Sequence, residues 1–273
     1  MSKFLFAVFS CMLFIGIGNG DVFASNTQKH TFEIAPTVSH IKYEEPGLMK
    51  TDGMMHGIRA AYTYRDRIML GVEGRLAIGK VDYTGSVMDL TTGVKTPHTA
   101  GNIPQYMIES RGLVGYIFPM SKTSSITYFT GLGYRYLHND LSVDPGGYLR
   151  ESNYIYSPIG VRYDAKLRNG WSFGAEAEYN IFWRGMQISH FNHIDPGFNV
   201  LKNTQRDGHG LRASVEFAKK TGSVELALTP FIEHWNIGDS ERVDLTFYGT
   251  KVGEAWEPKN RSTEIGLGLA LKW

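Results

Sequence analysis

Apolar and polar residues alternate with a period of two through most of this chain. The pattern is clearest from Trp171 to Gly185, where the odd positions are apolar and the even positions include Glu176, Glu178 and Arg184. A period of two places successive side chains on opposite faces of a β-strand. With nine further segments of the same kind, it predicts ten strands, each with one apolar and one polar face. The ten segments are 32–39, 57–64, 68–79, 105–118, 128–136, 159–164, 171–185, 210–217, 224–228 and 264–273.

The connections between these segments alternate in length. Short ones lie near 65–67, 119–125, 167–170 and 219–222, and long ones near 44–54, 84–104, 138–152, 186–207 and 237–261. Such an alternation is typical of an up-and-down barrel with short turns at one end and long loops at the other. It places both termini at the short-turn end. Within the last long connection, residues 243–248 are strand-like and could extend a hairpin beyond the barrel.

Three prolines interrupt the predicted strands, which leaves eight or ten spanning strands as alternatives. Proline cannot donate a hydrogen bond to a strand ladder, so Pro36, Pro158 and Pro230 are predicted bulges. After Pro230 the apolar residues Phe231 and Trp235 fall on the former polar face. This change predicts a shift of parity at that point.

Which face points outward decides between a soluble barrel and a membrane barrel. The polar faces are rich in glycine, and the chain has 31 Gly, which suits a crowded lumen better than a water-facing surface. The predicted strands of about 10 residues are long enough to cross a bilayer at a tilt. Aromatic residues lie near both ends of the apolar faces, as expected at two membrane interfaces. These are Tyr64, Phe118, Trp171, Phe217 and Trp273 at one end, and Tyr43, Tyr83, Tyr106, Tyr136 and Trp183 at the other.

The N-terminal 24 residues are predicted to be a signal peptide. Lys3 precedes an apolar run from Phe4 to Gly18, too short to span a bilayer, and Ala24 offers a small residue for cleavage. Residues 25–273 would then form one barrel domain. The single cysteine, Cys11, lies inside the apolar run, so the mature chain would have no cysteine for disulfides or thiolate chemistry.

The C-terminal segment Ile265–Trp273 alternates apolar residues and ends in an aromatic residue. Together with the signal peptide, it makes residues 31–273 resemble the outer-membrane β-barrels of Gram-negative bacteria, of the omptin type or the small porin-like type. The resemblance implies an all-β, closed, antiparallel, up-and-down transmembrane barrel of ten strands. It also implies that the barrel-assembly machinery recognises Trp273, that the surroundings are outer-membrane lipid and lipopolysaccharide, and that both termini are periplasmic.

The polar faces carry charges of both signs, which would point into the lumen. The main members are Arg59, Glu73, Arg75, Glu109, Arg111, Arg135, Arg162, Glu176, Glu178, Arg212 and Glu216, and Glu33, Asp164, Arg184, Glu225 and Glu264 share their parity. Because an unpaired charge in a poorly hydrated interior is costly, a salt-bridged plug is the favoured interpretation. The alternative is a narrow polar pore, although selective ion channels usually have rings of one sign.

Two enzyme classes share this architecture, and each has a characteristic residue pattern. Omptin-type proteases use a close pair of aspartates near one strand end and an Asp/His pair near another. Here Asp82 stands alone, His138 and Asp140 occur in the reverse order, and Glu233 and His234 are neighbours that would face opposite sides. Lipid A acyl hydrolases need His and Ser two residues apart on one face. Ser39 and His40 are adjacent instead, and two residues beyond His234 stands Asn236 rather than a serine.

His190, His193 and Asp195 in one long loop have a spacing that could hold a divalent ion. Nothing in the loop orients these side chains, so an ordinary polar loop is the favoured interpretation, and neither a metal site nor a cofactor is predicted. The formal net charge of +1 excludes a strongly basic nucleic-acid-binding protein.

The sequence therefore predicts a non-catalytic outer-membrane barrel with a structural, surface-interaction or small porin-like role and an unknown external ligand. An omptin-type hydrolase acting at the outer rim is the alternative from a different class. A soluble periplasmic β-barrel is a third possibility.

Overall fold

A computed structural model describes residues 29–88 and 92–273 of the chain. The predicted signal peptide, its cleavage site after Ala24 and Cys11 lie outside these residues. The strands are β1 (His30–Glu45), β2 (Met49–Arg65), β3 (Ile68–Met88), β4 (Lys95–Pro119), β5 (Ser124–Asp140), β6 (Leu149–Lys166), β7 (Trp171–Ser189), β8 (Leu201–Gln205), β9 (Gly208–Thr221), β10 (Val224–Ile237), β11 (Val243–Phe247), β12 (Thr250–Ala255) and β13 (Asn260–Lys272).

Ten of these strands close into one antiparallel barrel. Their order around it is β6-β5-β4-β3-β2-β1-β13-β10-β9-β7, and pairing of β6 with β7 completes the ring. The short strand β8 pairs with the loop-end half of β7, directly before β9 takes over. The strands β11 and β12 form a separate hairpin. The predicted all-β fold with ten strands is confirmed, as is a strand beginning at Val243 in the last long connection.

Helix is confined to three-residue 3₁₀ turns at Leu141–Val143, Arg168–Gly170 and Phe191–His193. Within the part of the chain that the structure describes, no helix is long and apolar enough to cross a membrane.

Apolar side chains cover the outside of the barrel. Leu226 is 49% exposed and Leu267 is 40% exposed, whereas Glu216 on the opposite face is 8% exposed. The backbone of each barrel strand is paired on both sides, so the closed sheet leaves no strand edge to lipid. The predicted orientation, with apolar residues outward and charges inward, is therefore confirmed, and the barrel is of the transmembrane type.

The connections at the loop end are shorter than predicted because the strands continue into them. The first is a tight turn at residues 46–48 rather than a loop over 44–54, and β3 and β4 pair as far as Met88 and Lys95. Hydrogen-bonded hairpins thus extend beyond the lipid-facing part of the barrel, where an alternating pattern was not required.

The predicted bulges at Pro36 and Pro230 are wrong. The pairs flanking each of these outward-facing prolines keep a constant register, so one missing N–H is accommodated without an inserted residue. The predicted parity shift after Pro230 is wrong for the same reason. Phe231 and Trp235 point inward, and the lumen takes up their aromatic rings.

The register of the barrel instead shifts at two other places. One shift lies between Val81 and Tyr83 on β3, and the other lies between Ile155 and Tyr156, opposite Phe182 and Arg184. Pro158 is two residues beyond the second shift and is itself in register.

Three side chains face the other way from their predicted side, and the shift opposite Ile155 and Tyr156 explains one of them. Beyond the bulge on β7, Arg184 is exposed on the outside rather than in the lumen. Tyr83 shares the inward parity of Glu73 and Val81 on β3 and packs against the inner apolar cluster. Tyr43 is 7% exposed and faces inward simply because it shares the parity of Glu33 and Ser39. Neither tyrosine belongs to an outer aromatic belt.

The outward apolar face predicts a specific mutational cost. Leu267→Arg places a charge near the middle of β13 on the lipid-facing side, where it costs about 2–4 kcal/mol. We expect the free energy of unfolding, measured by denaturant titration in phospholipid vesicles, to fall by about this amount. Val252→Arg on the exposed β12 hairpin is the control and should leave it unchanged. Equal effects of the two changes would contradict a lipid-facing β13.

Candidate functional site

The strand register places opposite charges side by side in the lumen. On β3 and β4, Glu73 lies opposite Arg111 and Arg75 lies opposite Glu109. Glu109 in turn lies opposite Arg135 on β5. The same arrangement recurs on the other side of the barrel, where Arg212 on β9 lies between Glu178 on β7 and Glu233 on β10. Each of these guanidinium groups therefore has a carboxylate on a neighbouring strand, in addition to any that it reaches across the lumen.

Two arginines bridge the centre of the barrel. The Arg111 Nη1 atom donates to both oxygens of Glu178 at 2.8 and 2.7 Å, and its Nη2 atom donates to Glu73 at 2.7 Å. The Arg212 Nη2 atom donates to Glu109 at 2.6 Å and to Glu233 at 2.9 Å. Glu178 has no exposed side-chain surface and Arg111 has 4%. These contacts join five strands, β3, β4, β7, β9 and β10, across the lumen into one central ion-pair network.

Above this network, towards the loop end, aromatic side chains fill the lumen. The Tyr156 hydroxyl donates to Glu109 at 2.5 Å, and the Tyr156 and Trp235 rings meet edge to face at 5.0 Å. The Arg135 guanidinium lies 5.8 Å from the Tyr154 ring and 5.9 Å from the Trp235 ring. The buried cluster that we call the aromatic layer consists of Tyr154, Tyr156, Phe182, Trp235 and Ile237.

The aromatic layer was missed from the sequence. Trp235 was attributed to a parity shift, and Phe182 was placed on the polar, inward face, where it lies, without a partner being recognised for its ring. The signal that could have identified the layer is the recurrence of large aromatic residues on faces otherwise made of charges and glycine.

The turn-end half of the lumen holds a second group of ion pairs. The Arg162 guanidinium contacts Asp164 at 2.8 Å, Glu216 at 3.1 Å and Glu176 at 3.6 Å. The Lys272 ammonium contacts Glu216 at 2.6 Å. Of the remaining charges named from the sequence, Arg59 pairs with Glu33 and Arg75 pairs with Glu264. Glu225 accepts a long hydrogen bond of 3.4 Å from Ser172.

A cavity of 810 Å³ occupies this turn-end half. Residues of the short turns, including Lys122, Leu167 and Ser223, lie at its mouth, and Arg111, Glu109 and Glu233 lie at its inner end. The inner end thus coincides with the central ion-pair network. The volume lies within the range of small-molecule sites, about 300–1,000 Å³.

At the loop end, one arginine holds two carboxylates together. Arg150 forms ion pairs with Glu45 at the end of β1 and with Glu257 in the segment before β13, and the Tyr43 hydroxyl donates to Glu257 at 3.0 Å. Burial, opposed by Arg150 and assisted by the neighbouring Glu45, raises the pKa of Glu257 to about 7. We call this group the Arg150 cluster. It fastens the 256–259 segment across the mouth of the barrel.

The residues considered for metal binding lie in separate environments. The His190 Nε2 atom lies 2.7 Å from a Glu151 oxygen, and the His190 and His193 rings are 5.5 Å apart. Asp195 accepts a hydrogen bond from the backbone N–H of Gly197. Within residues 29–88 and 92–273, no group of three or more His, Cys, Asp or Glu side chains is arranged to hold a metal ion.

The residues considered for omptin-type catalysis are engaged locally. Asp82 accepts a hydrogen bond from the backbone of Asn102, and the His138 ring stacks on Tyr106 with centroids 4.3 Å apart. Glu233 points into the lumen, whereas the His234 Nδ1 atom lies 2.8 Å from the Thr263 hydroxyl on the outer face.

One Asp-x-His sequence was overlooked in the sequence analysis. It is Asp207-Gly208-His209, at the start of β9. The His209 ring stacks on Tyr179, with centroids 5.9 Å apart, on the outside of the barrel. Its imidazole therefore faces away from the lumen.

Among known proteins, no family model and no curated sequence matches this chain. The outer-membrane protease OmpT from Escherichia coli is similar in structure, with a TM-score of 0.64 at 12% sequence identity, over 93% of this chain and 99% of that chain. This chain has the fold of a ten-stranded outer-membrane β-barrel. The translocator domain of the autotransporter NalP from Neisseria meningitidis has a TM-score of 0.43 at 8% identity, over 89% of this chain and 88% of that chain. At these identities the likeness establishes the fold alone.

The central ion-pair network predicts a large effect of removing one arginine. Arg111→Ala leaves Glu178 buried without its bidentate partner, which costs about 3–5 kcal/mol. Denaturant unfolding in vesicles should show a loss of this size. Arg206→Ala is the matched control, because Arg206 pairs with Glu241 on the surface with both side chains more than half exposed, and no measurable loss is expected. A negligible effect of Arg111→Ala would show that the central network contributes little.

The Arg150 cluster predicts a pH dependence. Since the pKa of Glu257 is raised to about 7, the folded state favours its protonated form. The stability that this proton contributes is fully present below about pH 4.5 and is lost as the pH rises to about 7, with no further loss above. Amide protection factors of residues 256–259, measured by hydrogen exchange, should fall by up to about tenfold per pH unit in that window. Glu257→Gln should remove this dependence and Glu254→Gln should retain it.

Proposed function

We propose that this protein is an integral outer-membrane barrel with a closed lumen, serving a structural or surface-interaction role without passage of solutes and without catalysis. The apolar outer surface and the closed ring of ten strands support the membrane location. The observation that carries the proposal is the obstruction of the lumen at successive levels, from the central ion-pair network through the aromatic layer to the Arg150 cluster.

The closure favours a plug over the narrow pore that remained as an alternative. Arg111 and Arg212 each bind two carboxylates, so their charges are neutralised and not available to a passing ion. Above them, Tyr156 and Trp235 are 0% and 1% exposed. A passing ion would have to shed its hydration shell and break the contacts between these side chains, and both are costly in a poorly hydrated interior.

The proposed orientation puts the short turns and both termini in the periplasm and the long hairpins outside. Outer-membrane barrels generally have short periplasmic turns and longer outer loops. In this orientation Trp273 would serve as the signal for the barrel-assembly machinery, and the outer half of the barrel would contact lipopolysaccharide. The signal peptide, cleaved after Ala24, is part of the same proposal.

The β11–β12 hairpin is the proposed surface for external contacts. Its tip and base expose apolar residues at the loop end, with Tyr248 77%, Val252 55% and Trp256 44% exposed. The Arg242 guanidinium covers one face of Trp256 at 4.2 Å. Exposed apolar groups rimmed by charges are typical of interaction sites.

The omptin-type alternative has less support. Asp82 lies opposite Asp52 on the neighbouring strand, but both face outward, and Asp82 already accepts a backbone hydrogen bond from Asn102. The Asp207-Gly208-His209 sequence has the right order, but His209 stacks against Tyr179 on the outer face. The fold shared with a protease is not evidence for the shared activity.

The closed lumen predicts the absence of conductance. The purified full-length barrel, inserted into a planar lipid bilayer, should show no stepwise current at moderate voltage. A triple variant with Tyr156→Ala, Trp235→Ala and Arg150→Ala opens the aromatic layer and the Arg150 cluster, and loss of the Tyr156 hydroxyl also releases Glu109 in the central network, so it should show leak steps. The matched control, Tyr134→Ala together with Trp183→Ala, removes two outward-facing aromatic residues and should remain silent.

Steady steps from the unmodified protein would overturn the closed lumen. Incubation of the same preparation with a mixed peptide library tests the absence of catalysis. Cleavage that is lost in His138→Ala or His209→Ala would establish the protease alternative instead.

A further inference from the structure

The turn-end cavity carries hydrogen-bond donors that the ion-pair network does not use. Thr37 on β1 and Thr229 on β10 both face it, and both hydroxyl oxygens are buried without a hydrogen-bond partner among the described residues. The Nε atoms of Arg59 and Arg75 line the same cavity and are likewise buried without a partner there. Buried polar groups are normally satisfied, so four unused groups on one cavity wall require an explanation.

The register brings the two threonines together around a glycine. Thr37 and Thr229 each lie directly opposite Gly268 on β13, on its two sides. A Cβ atom built on Gly268 would lie 3.6 Å from the Thr37 methyl group and 3.8 Å from the Thr229 carbonyl oxygen. The absence of a side chain there leaves a recess between the two hydroxyls. We call it the Gly268 niche.

The arginines approach the same niche from the adjacent strands. Thr37 lies opposite Gly57 on β2, and Arg59 is the next inward residue along that strand. Arg59 lies directly opposite Arg75 on β3. Their terminal nitrogens are committed to Glu33 and Glu264, which leaves the two Nε–H groups as donors.

Glu216 borders the niche beyond Thr229, but its charge is already balanced. Its carboxylate contacts the Lys272 ammonium at 2.6 Å and the Arg162 guanidinium at 3.1 Å. The niche thus offers unused donors beside a neutralised acid, a combination that suits a negatively charged oxygen group.

An apolar patch lies across the cavity. It contains Met69, Leu113, Ile117 and Phe129, of which Met69 and Phe129 are buried. Leu113 and Ile117 lie on β4, which is five strands from β10 in the ring of ten, and Phe129 lies on β5, which is five strands from β13, while Met69 lies at the near edge of the patch on β3. The cavity therefore has a donor-lined wall facing a hydrocarbon-compatible wall.

Cations surround the mouth of the cavity. Each of the four short turns carries at least one exposed Lys or Arg for which the described part of the chain provides no ion pair. These residues are Arg67, Lys122, Lys166, Arg168 and Lys220. Such a ring raises the local concentration of anions at the entrance.

We propose that the turn-end cavity binds a small anionic amphiphile, with its phosphate or carboxylate group in the Gly268 niche and its hydrocarbon part against the wall formed by Met69, Leu113, Ile117 and Phe129. Binding itself is independent of the proposed closed lumen. Only the side of entry, the periplasm, rests on the orientation given under the proposed function.

The test uses the full-length barrel in nanodiscs of zwitterionic phosphatidylcholine, with ¹³C-labelled threonine methyl groups observed by NMR. The probes are hexyl phosphate, hexanoate, inorganic phosphate and the uncharged 1-hexanol. We expect hexyl phosphate or hexanoate to shift the Thr37 and Thr229 signals saturably, and the tighter of the two anions identifies the head group. Hexanol and inorganic phosphate should each bind at least tenfold more weakly.

Four variants make the result specific. Thr37→Val and Thr229→Val remove one hydroxyl each and should weaken binding of the anion at least tenfold. Thr127→Val is the matched control, since Thr127 has a buried hydroxyl also unpartnered within the described residues but lies outside the cavity lining, and binding should be unchanged. Gly268→Val fills the niche and should abolish binding. It keeps the proposal testable if a threonine variant fails to fold.

Four results would overturn the proposal: no saturable shift, equal binding of hexanol, equal binding of inorganic phosphate, or equal loss in Thr127→Val. The bilayer conductance of the same protein is measured separately. A silent barrel that binds no anion refutes the cavity proposal alone, and a conducting barrel that binds the anion refutes the closed lumen alone.

Discussion

The limited width of a ten-stranded barrel governs this structure. Closing the sheet satisfies the backbone without water, which is what a strand in lipid requires. It also traps every second side chain in a space too narrow for each charge to keep a full hydration shell. A charge in that space must find an opposite charge, so Arg111 and Arg212 each hold two carboxylates. The charges in the lumen are balanced by contact with opposite charges rather than screened by water.

The lumen is not filled uniformly along its axis. Glycines such as Gly133 and Gly160 make room for the Tyr156 and Phe129 rings, since a Cβ at either position would lie within 2.3 Å of a ring atom. At Gly268 the reverse holds, because a Cβ would meet only ordinary contacts and the space is left open. Small residues thus do two different things on the inward face. Some admit a large neighbour, and at least one leaves a recess beside unused donors.

Much of the fold could be predicted from the sequence, because period two is imposed by the strand itself. The ten strands and their two faces followed from parity, and glycine content, strand length and the aromatic residues indicated which face points outward. Parity fails wherever an extra residue is inserted, and neither Trp183 nor Arg184 signals the bulge that turns Arg184 outward. Proline did not predict the positions of the bulges, since Pro36 and Pro230 stay in register. The ends of the strands were also missed, because hairpins beyond the membrane need no amphipathic pattern.

The site was predictable only as a set of inward charges. Which arginine pairs with which carboxylate depends on the register, and the sequence does not contain the register directly. Arg150 illustrates the difference, because it joins Glu45 and Glu257, which are distant in sequence and were both assigned to loops. The Gly268 niche depends on three strands, two of which are the first and last of the barrel. It exists only because the ring closes there, so closure both seals the centre of the lumen and creates the recess at its turn end.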